Sequence, residues 1–574
     1  MCNMLTRPLA ALLLLMLVQS GWAARLEVVS KPENKELNAN VAALIGDLDG
    51  HDAASLRRYQ RAAVQQARLA GEALGYYSNR YRSEVLDGEK PVLRVHVRVR
   101  EPVRLRTVDI RVEGEAAGMD AFRVRDPRLK PGEQLHHGAY DEIKSALQQQ
   151  GLRYGFFAGK FTRHRLLVDP AAGAADIELH YDSGPRYRLG AVEFAEAGKI
   201  DDRLLAALVP FEDGTPYDSA LLAGLSQNLQ NTGYFAGVQV DAQGTADGPQ
   251  VIPVQVRLEP AKPRTLGLGA GFSTDVGPRG SFSWERHRVN SKGHKLGFDS
   301  EISKPKQNLS GWYAIPLSSP LSDELRFVAG YQREELVDAS SERLTLGTQW
   351  RKKVRHDWQR TIGLRWEDER YEYDRGSNRS RHSKFLLPSI GFAKLKSDSA
   401  LDPSKGYRLQ MDVSAGSGNV LSDADVVHVS ALARGLTTLA DKHRVLARIE
   451  VGGVATDKYS AIPPSLRFFA GGDQSVRGYD YQSLSPRDAQ RNRVGGRYLV
   501  AQSLEYQYEF VERWRAATFI DAGNATDSLT DSMKVGVGAG IRWVSPIGPL
   551  RLDFAHALHD DRGWRIHFSM GPEL

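Results

Sequence analysis

The chain has 574 residues, 41% hydrophobic and 25% charged, which is too rich in aliphatic and aromatic groups for a disordered polymer. Its 76 Lys and Arg against 70 Asp and Glu leave a formal charge of +6, too mild over this length to point to nucleic acid as a partner. The single cysteine, Cys2, excludes disulfides within the chain, cysteine zinc sites and iron–sulfur clusters.

Residues 1–24 read as a secretory signal. Arg7 supplies positive charge, Leu9 to Val18 is an almost unbroken apolar run, and Gly21 and Ala23 follow at small-x-small spacing. The run is too short for a membrane helix of ~20 residues. Cys2 precedes it, so lipid modification after cleavage is not supported, and the mature chain is expected to lack cysteine. No later segment carries the ~18 consecutive apolar residues of a membrane helix. The remaining architecture that satisfies every backbone group in lipid is a closed β-barrel.

Residues 25–262 mix helical and strand patterns and repeat one signature. Helical segments end in Leu74-Gly75-Tyr76-Tyr77, in Tyr154-Gly155-Phe156-Phe157 and in Thr232-Gly233-Tyr234-Phe235. Glycine at a helix end supplies the positive φ that terminates it, and the aromatic pair then anchors the next strand. Two alternating segments follow each glycine, for example Val251–Leu258, where Ile252, Val254, Val256 and Leu258 alternate with Pro253, Gln255 and Arg257. Each unit opens with its own strand, at Leu26–Ser30, Leu105–Val112 and Tyr187–Phe194. In the third unit Leu221, Leu222, Leu225 and Leu229 form an apolar helical stripe, with Asp218 or Thr215 as its cap. Three modules of order β-α-α-β-β are expected, at 25–101, 102–184 and 185–262.

From residue 263 to 574 the helical stripes stop. Sixteen alternating segments separated by Gly, Ser, Asp, Asn and Pro take over, the pattern of an outer-membrane barrel. In Gly563–Met570, Trp564, Ile566, Phe568 and Met570 face one way and Arg565, His567 and Ser569 the other. Charges at mid-strand on the polar face suit a wet lumen. Glycine at every second position of the first segment, Gly267, Gly269 and Gly271, removes side chains from one face, and Gly571 and Pro572 sit where the last strand finishes pairing, after Phe568. Both edges of a first–last seam are therefore expected to pair poorly.

One loop, 455–495, is unlike the others. It holds Phe468, Gly471, Gly472 and Asp473, then Val476-Arg477-Gly478-Tyr479, a composition for a tightly folded tongue. Folded into the lumen, the tongue would set Arg477 against the charged wall. Asp521, within Phe519-Ile520-Asp521-Ala522-Gly523, is the first choice of partner, with Glu505 and Glu450 as competing wall carboxylates.

The tongue motif, the later strand motif carrying Asp521 and the three upstream modules together resemble the Omp85 superfamily of outer-membrane proteins, and within it the TamA group. The resemblance implies three periplasmic α+β POTRA modules (β-α-α-β-β) followed by a 16-stranded antiparallel transmembrane β-barrel in a Gram-negative outer membrane. It implies a non-enzymatic factor that inserts outer-membrane proteins such as autotransporters, with a role in lipid movement. Implied partners are a TamB-like inner-membrane-anchored periplasmic protein, unfolded outer-membrane clients, and outer-membrane lipids with lipopolysaccharide. A two-partner-type secretion pore or a general assembly protein is the alternative. No cofactor or metal is implied. His556, His559 and His567 with Asp553 and Asp560 could be arranged as a metal site, but wall and loop histidines account for them, and no HExxH, GxSxG or Walker pattern is present.

Overall fold

The computed structural model describes residues 24–571 except 89, 197, 245–248, 374–379, 547 and 559–562. The expected signal up to Ala23, together with His559, Asp560 and Pro572, lies outside the described residues. The chain divides into two units. One holds the described residues up to Glu193 with Phe211–Ala223 and Asp241–Gln255; the other holds Phe194–Pro210, Gly224–Val240 and Val256 onward.

The first module runs β1 (Arg25–Lys31), α1 (Lys35–Ile45), α2 (Ala53–Ala73), β2 (Arg80–Leu86) and β3 (Val92–Arg98). The Asn34 and Asp52 side chains accept from the Leu37 and Ser55 amides and so start the two helices. Leu37, Val41 and Leu56 pack on Leu93, Val95 and Val97 of the central strand, all buried. The second module has β4 (Arg104–Glu113), α3 (His137–Arg153), β5 (Lys160–Asp169) and β6 (Ala174–Asp182). Its first helix is replaced by two 3₁₀ turns, Gly114–Ala116 and Asp120–Phe122, because glycines at 114, 118 and 132 and prolines at 127 and 131 break any longer run. The third has β7 (Arg188–Ala195), α4 (Asp202–Ala206), α5 (Ser219–Asn231), β8 (Phe235–Asp241) and β9 (Val251–Pro260). Asp218 caps α5, its carboxylate accepting from the Ala220 amide at 2.8 Å. The sheet orders are β1-β3-β2, β4-β6-β5 and β7-β9-β8.

The recurring glycines have the expected left-handed backbone, with φ of 79°, 79° and 73° at Gly75, Gly155 and Gly233. The first two also touch the start of the succeeding module. The Gly75 carbonyl accepts from the Val103 amide and the Gly155 carbonyl from the Tyr187 amide, each at 2.9 Å. Phe157 meets Tyr187 and Tyr217 edge-on at 5.3 and 5.0 Å. In the second module, Phe156 thus anchors its own core while Phe157 reaches the next module.

The rest of the chain is a closed antiparallel barrel of sixteen strands. The first eight are β10 (Arg264–Ser273), β11 (Gly277–Arg286), β12 (Lys295–Ser303), β13 (Lys306–Pro316), β14 (Asp323–Glu335), β15 (Ala339–Lys353), β16 (Gln359–Tyr373) and β17 (Arg381–Ser397). The second eight are β18 (Lys405–Gly416), β19 (Val426–Leu439), β20 (His443–Thr456), β21 (Tyr498–Val511), β22 (Trp514–Thr526), β23 (Lys534–Ser545), β24 (Gly548–Ala557) and β25 (Trp564–Met570). The alternation resolves into two faces. Ile520 and Trp514 on β22 point outward, 49% and 40% exposed, while Ala517, Phe519 and Asp521 are buried toward the lumen. No helix among the described residues is long and apolar enough to cross a membrane.

Closure is uneven. β15 and β16 pair continuously from Ala339–Tyr373 to Lys353–Gln359, whereas among the described residues β10 and β25 pair through Ser273 and Ser569 alone. Beside that pair, the Thr274 amide donates to the Phe568 carbonyl at 3.0 Å and the Phe272 and Phe568 rings lie 5.9 Å apart. Gly267, Gly269 and Gly271 pair with Ser283, Ser281 and Arg279 of β11 and do not oppose β25 as the sequence suggested. A Cβ at Gly267 or Gly269 would stand 2.3 Å from a serine hydroxyl, so these glycines make room for the next strand.

Candidate functional site

The tongue spans residues 457–497, between β20 and β21. Arg467 shapes it from within, its guanidinium donating to the carbonyls of Ile462, Val494 and Tyr459 at 2.9–3.0 Å and covering the Tyr459 ring. Phe468 exchanges backbone hydrogen bonds with Gly496 and stacks on His428, ring centres 5.0 Å apart. Gly471 and Gly472 have φ near +100°, and a Cβ on either would collide with the Asp480 carbonyl or the Asp275 carboxylate. The Asp473 amide donates to Asp275 Oδ2 at 2.6 Å, so this residue ties the tongue to the β10–β11 turn.

Arg477 carries the tip. Its Nε and Nη2 donate to Asp521 Oδ2 and Oδ1 at 2.7 and 2.9 Å, a bidentate pair, and its backbone amide donates to Oδ2 at 3.0 Å. Nη1 reaches Glu505 at 2.7 Å and Asp553 at 3.2 Å. The guanidinium lies over the Phe519 ring, 3.4 Å from its centre. Ser503 donates to Asp521 Oδ1 at 2.6 Å, fixing the carboxylate. Arg542 closes the network from β23, pairing with Glu505 at 2.9 Å and Asp553 at 2.7 Å. Desolvating these charges is costly, and the cost is offset because each group is multiply paired.

The flanking motif residues seat the arginine. Val476 and Tyr479 pack with Ala557. Gly478 has φ +93°, and its amide donates to His567 Nε2 on β25 at 3.0 Å. Any Cβ there would press on the His556–Ala557 backbone at 3.0 Å. The wall is pared back to match: a Cβ on Gly536 would stand 1.9 Å from the Arg477 carbonyl, and one on Gly538 2.4 Å from the Phe519 ring. Gly523 sits beyond the cluster, close to the Val500 carbonyl.

The structure therefore brings together Val476, Arg477, Gly478, Tyr479, Phe519, Asp521 and Glu505. It does not bring in Glu450, which is absent from the contacts of Arg477 although it shares the lumenal face of β20 with Arg448. Arg448 itself donates to the carbonyls of Gln474 and Ser475. Sequence reasoning missed Asp553, Arg542, Ser503, Arg448 and His567 as parts of this site. The one available signal was Gly536-Val537-Gly538-Ala539-Gly540, glycine at every second position opposite the tongue. The metal candidates separate, since His567 faces the lumen while His556 lies against Trp564 on the outer face.

Residues 262–573 match the model of the Omp85 superfamily domain. Residues 27–100 match the model for POTRA domain TamA domain 1, and residues 187–260 a POTRA model described as a surface antigen variable number repeat. The outer membrane protein assembly factor BamA of Nitratidesulfovibrio vulgaris is 26% identical over 396 residues, 65% of this chain and 49% of that protein. The BamA of Neorickettsia risticii is 23% identical over 424 residues, 69% of this chain and 56% of that one. The chain thus spans about half the length of these curated relatives. The crystal structure of BamA from Haemophilus ducreyi lacking POTRA domains 1–3 aligns with a TM-score of 0.68 at 14% identity, over 81% of this chain and 99% of that one, a likeness of fold.

Proposed function

Because this chain belongs to the Omp85 superfamily of outer-membrane proteins, we propose that it assembles and inserts other outer-membrane proteins, by edge pairing and without enzymatic chemistry. It lies in the outer membrane of a Gram-negative bacterium, with its modules in the periplasm. The observation that carries the reading is the seam: among the described residues β10 and β25 share one residue pair, whereas neighbouring wall strands pair continuously. Unpaired strand edges are templates for backbone addition, and opening a single pair is cheap against the cooperative wall. The lumen, in contrast, is occupied by a tongue pinned at Arg477, which disfavours a passive conduit or secretion pore.

The three modules and the match of the first to a TamA model support a TamA-type factor. On this reading its partner is a TamB-like inner-membrane-anchored periplasmic protein, its clients include autotransporters, and lipid or lipopolysaccharide handling is part of its work. Arg477 and Asp521 then hold the tongue that orders the seam. The test is a lock at the observed register. Ser273→Cys with Ser569→Cys should oxidise to a disulfide in a chain whose one native cysteine is Cys2. Client assembly should stop and return on reduction; assembly at the wild-type rate with the seam fully locked would overturn edge pairing. Recovery of a TamB-like protein from cross-linked envelopes would separate the TamA reading from that of a general assembly factor.

A further inference from the structure

The outward face of β10–β12 carries a feature that neither the seam nor the tongue uses. At the module end of these strands is a cavity of about 290 Å³ lined by Lys199, Lys262, Arg286, His287 and Arg288, with no carboxylate in its lining. Arg286 Nε is buried and has no hydrogen-bond partner. Arg264 is the direct cross-strand partner of Arg286, so two like charges stand opposite each other, an arrangement that destabilises a sheet pair. The carboxylate of the residue preceding Arg286, Glu285, is taken by His287 Nδ1 at 3.1 Å, while Nε2 of the same ring meets Thr265 Oγ1 at 2.6 Å. Arg288 spends one donor on the Lys199 carbonyl at 3.2 Å.

Further along the same outward face is an apolar groove of about 360 Å³, with Leu268, Phe282 and Ile302 as its sides and Ala270, Gly280 and Ser300 in its floor. A Cβ on Gly280 would meet nothing within 4 Å, so the floor is open. Phe282 and Arg286 are four residues apart on β11, about 14 Å at ~3.4 Å per residue. That is close to the depth of one leaflet, half of a hydrocarbon core ~30 Å thick.

We propose that this face binds one anionic glycerophospholipid of the periplasmic leaflet, its phosphate on Arg286 in the cationic cavity, with Arg264 across the strand pair beside it, and its acyl chains in the groove over Ala270 and Gly280. The phosphate supplies acceptors for the orphaned Arg286 Nε and relieves the Arg264–Arg286 repulsion. The bound lipid covers Leu268, which is 85% exposed on the first strand. The inference rests on the proposed barrel in the outer membrane. Its test reads lipid directly, so its failure leaves the assembly function standing, and loss of client assembly alone would not touch it.

The experiment is native mass spectrometry of the full chain, folded in detergent and loaded with phosphatidylglycerol. The wild type should retain one lipid through detergent exchange. Arg264→Gln with Arg286→Gln should lower retention at least about tenfold, as expected for lost charge-assisted hydrogen bonds. Gly280→Leu, which fills the groove, should lower it similarly, and inorganic phosphate should not displace the lipid. Folding of each variant is checked by the mobility shift between unheated and boiled samples. If the arginine pair fails that check, Lys199→Gln with Lys262→Gln, two exposed positions, takes its place. Equal retention by wild type and charge variant overturns the proposal. Displacement by phosphate together with no effect of Gly280→Leu would also overturn it and leave a site for free phosphate.

Discussion

Removing Arg477 should be worse than removing Asp521, although the two form one pair. The ion pairs at the tip join two guanidiniums, Arg477 and Arg542, to three carboxylates, Asp521, Glu505 and Asp553, so the directly paired groups carry a formal excess of one negative charge, with the Arg448 guanidinium nearby on the Gln474 and Ser475 carbonyls. Arg477→Gln raises that excess to two and leaves three neighbouring carboxylates to a single arginine. Asp521→Asn brings it to zero. With the Arg477 side chain 8% exposed and that of Asp521 1%, the arginine variant breaks a buried pair, typically at a cost of about 3–5 kcal/mol. If this falls on tongue docking, the undocked population rises by about two decades or more. The assay is the rate at which a bulky maleimide labels a cysteine placed at Ser475, compared in wild type, both single variants and the double variant. Labelling should accelerate about a hundredfold or more in Arg477→Gln and less in Asp521→Asn. The double variant returns the excess to one and should label more slowly than Arg477→Gln alone. Strictly additive effects, or Asp521→Asn as severe as Arg477→Gln, would refute the charge reasoning.

Gly536→Ala should unseat the tongue without touching a charge, because its Cβ would lie 1.9 Å from the Arg477 carbonyl; a penalty of about 1–3 kcal/mol should appear as faster labelling at the same reporter. Gly155→Ala should destabilise the second module by about 1 kcal/mol or more, since φ is +79° and Tyr217 Cβ stands 2.5 Å away, read as lost amide protection in α3 and β5. Asp176 is held down at about 2 by hydrogen bonds from Arg106 and Thr107. A carboxyl lowered in the folded state stabilises it above its unfolded value near 3.9 and loses that contribution as pH falls through about 2. Amide protection along β4 and β6 should therefore drop between those values in the wild type, and that increment should vanish in Asp176→Asn.

The modules were legible because a positive-φ glycine followed by a buried aromatic recurs where each module's last helix hands over to a strand, at Gly75-Tyr76, Gly155-Phe156 and Gly233-Tyr234. The missing helix of the second module was harder to see, since its glycines and prolines are scattered through a segment of ordinary polarity. Arg477 stood out in a loop of unusual composition, and Asp521 in a motif. Asp553 and Arg542 sit on strands whose alternation of polar and apolar residues looks like that of any wall strand, and only the register brings them beneath the same guanidinium. The bare glycine face of the first barrel strand was legible, but its register was not: Ser273 stands opposite Ser569, which puts Gly267, Gly269 and Gly271 past the end of β25.

The wall around Arg477 also bears on the order of folding. Glu505, Asp521 and Asp553 stand on β21, β22 and β24, and all three come after the tongue in the chain. Brought together without a cation, they would repel one another across neighbouring strands. Arg477 sits in the loop that immediately precedes them, so the last quarter of the barrel can condense around its guanidinium. A misplaced tongue would then do more than loosen a finished barrel: it would leave the final strands without a template and stall closure at β21.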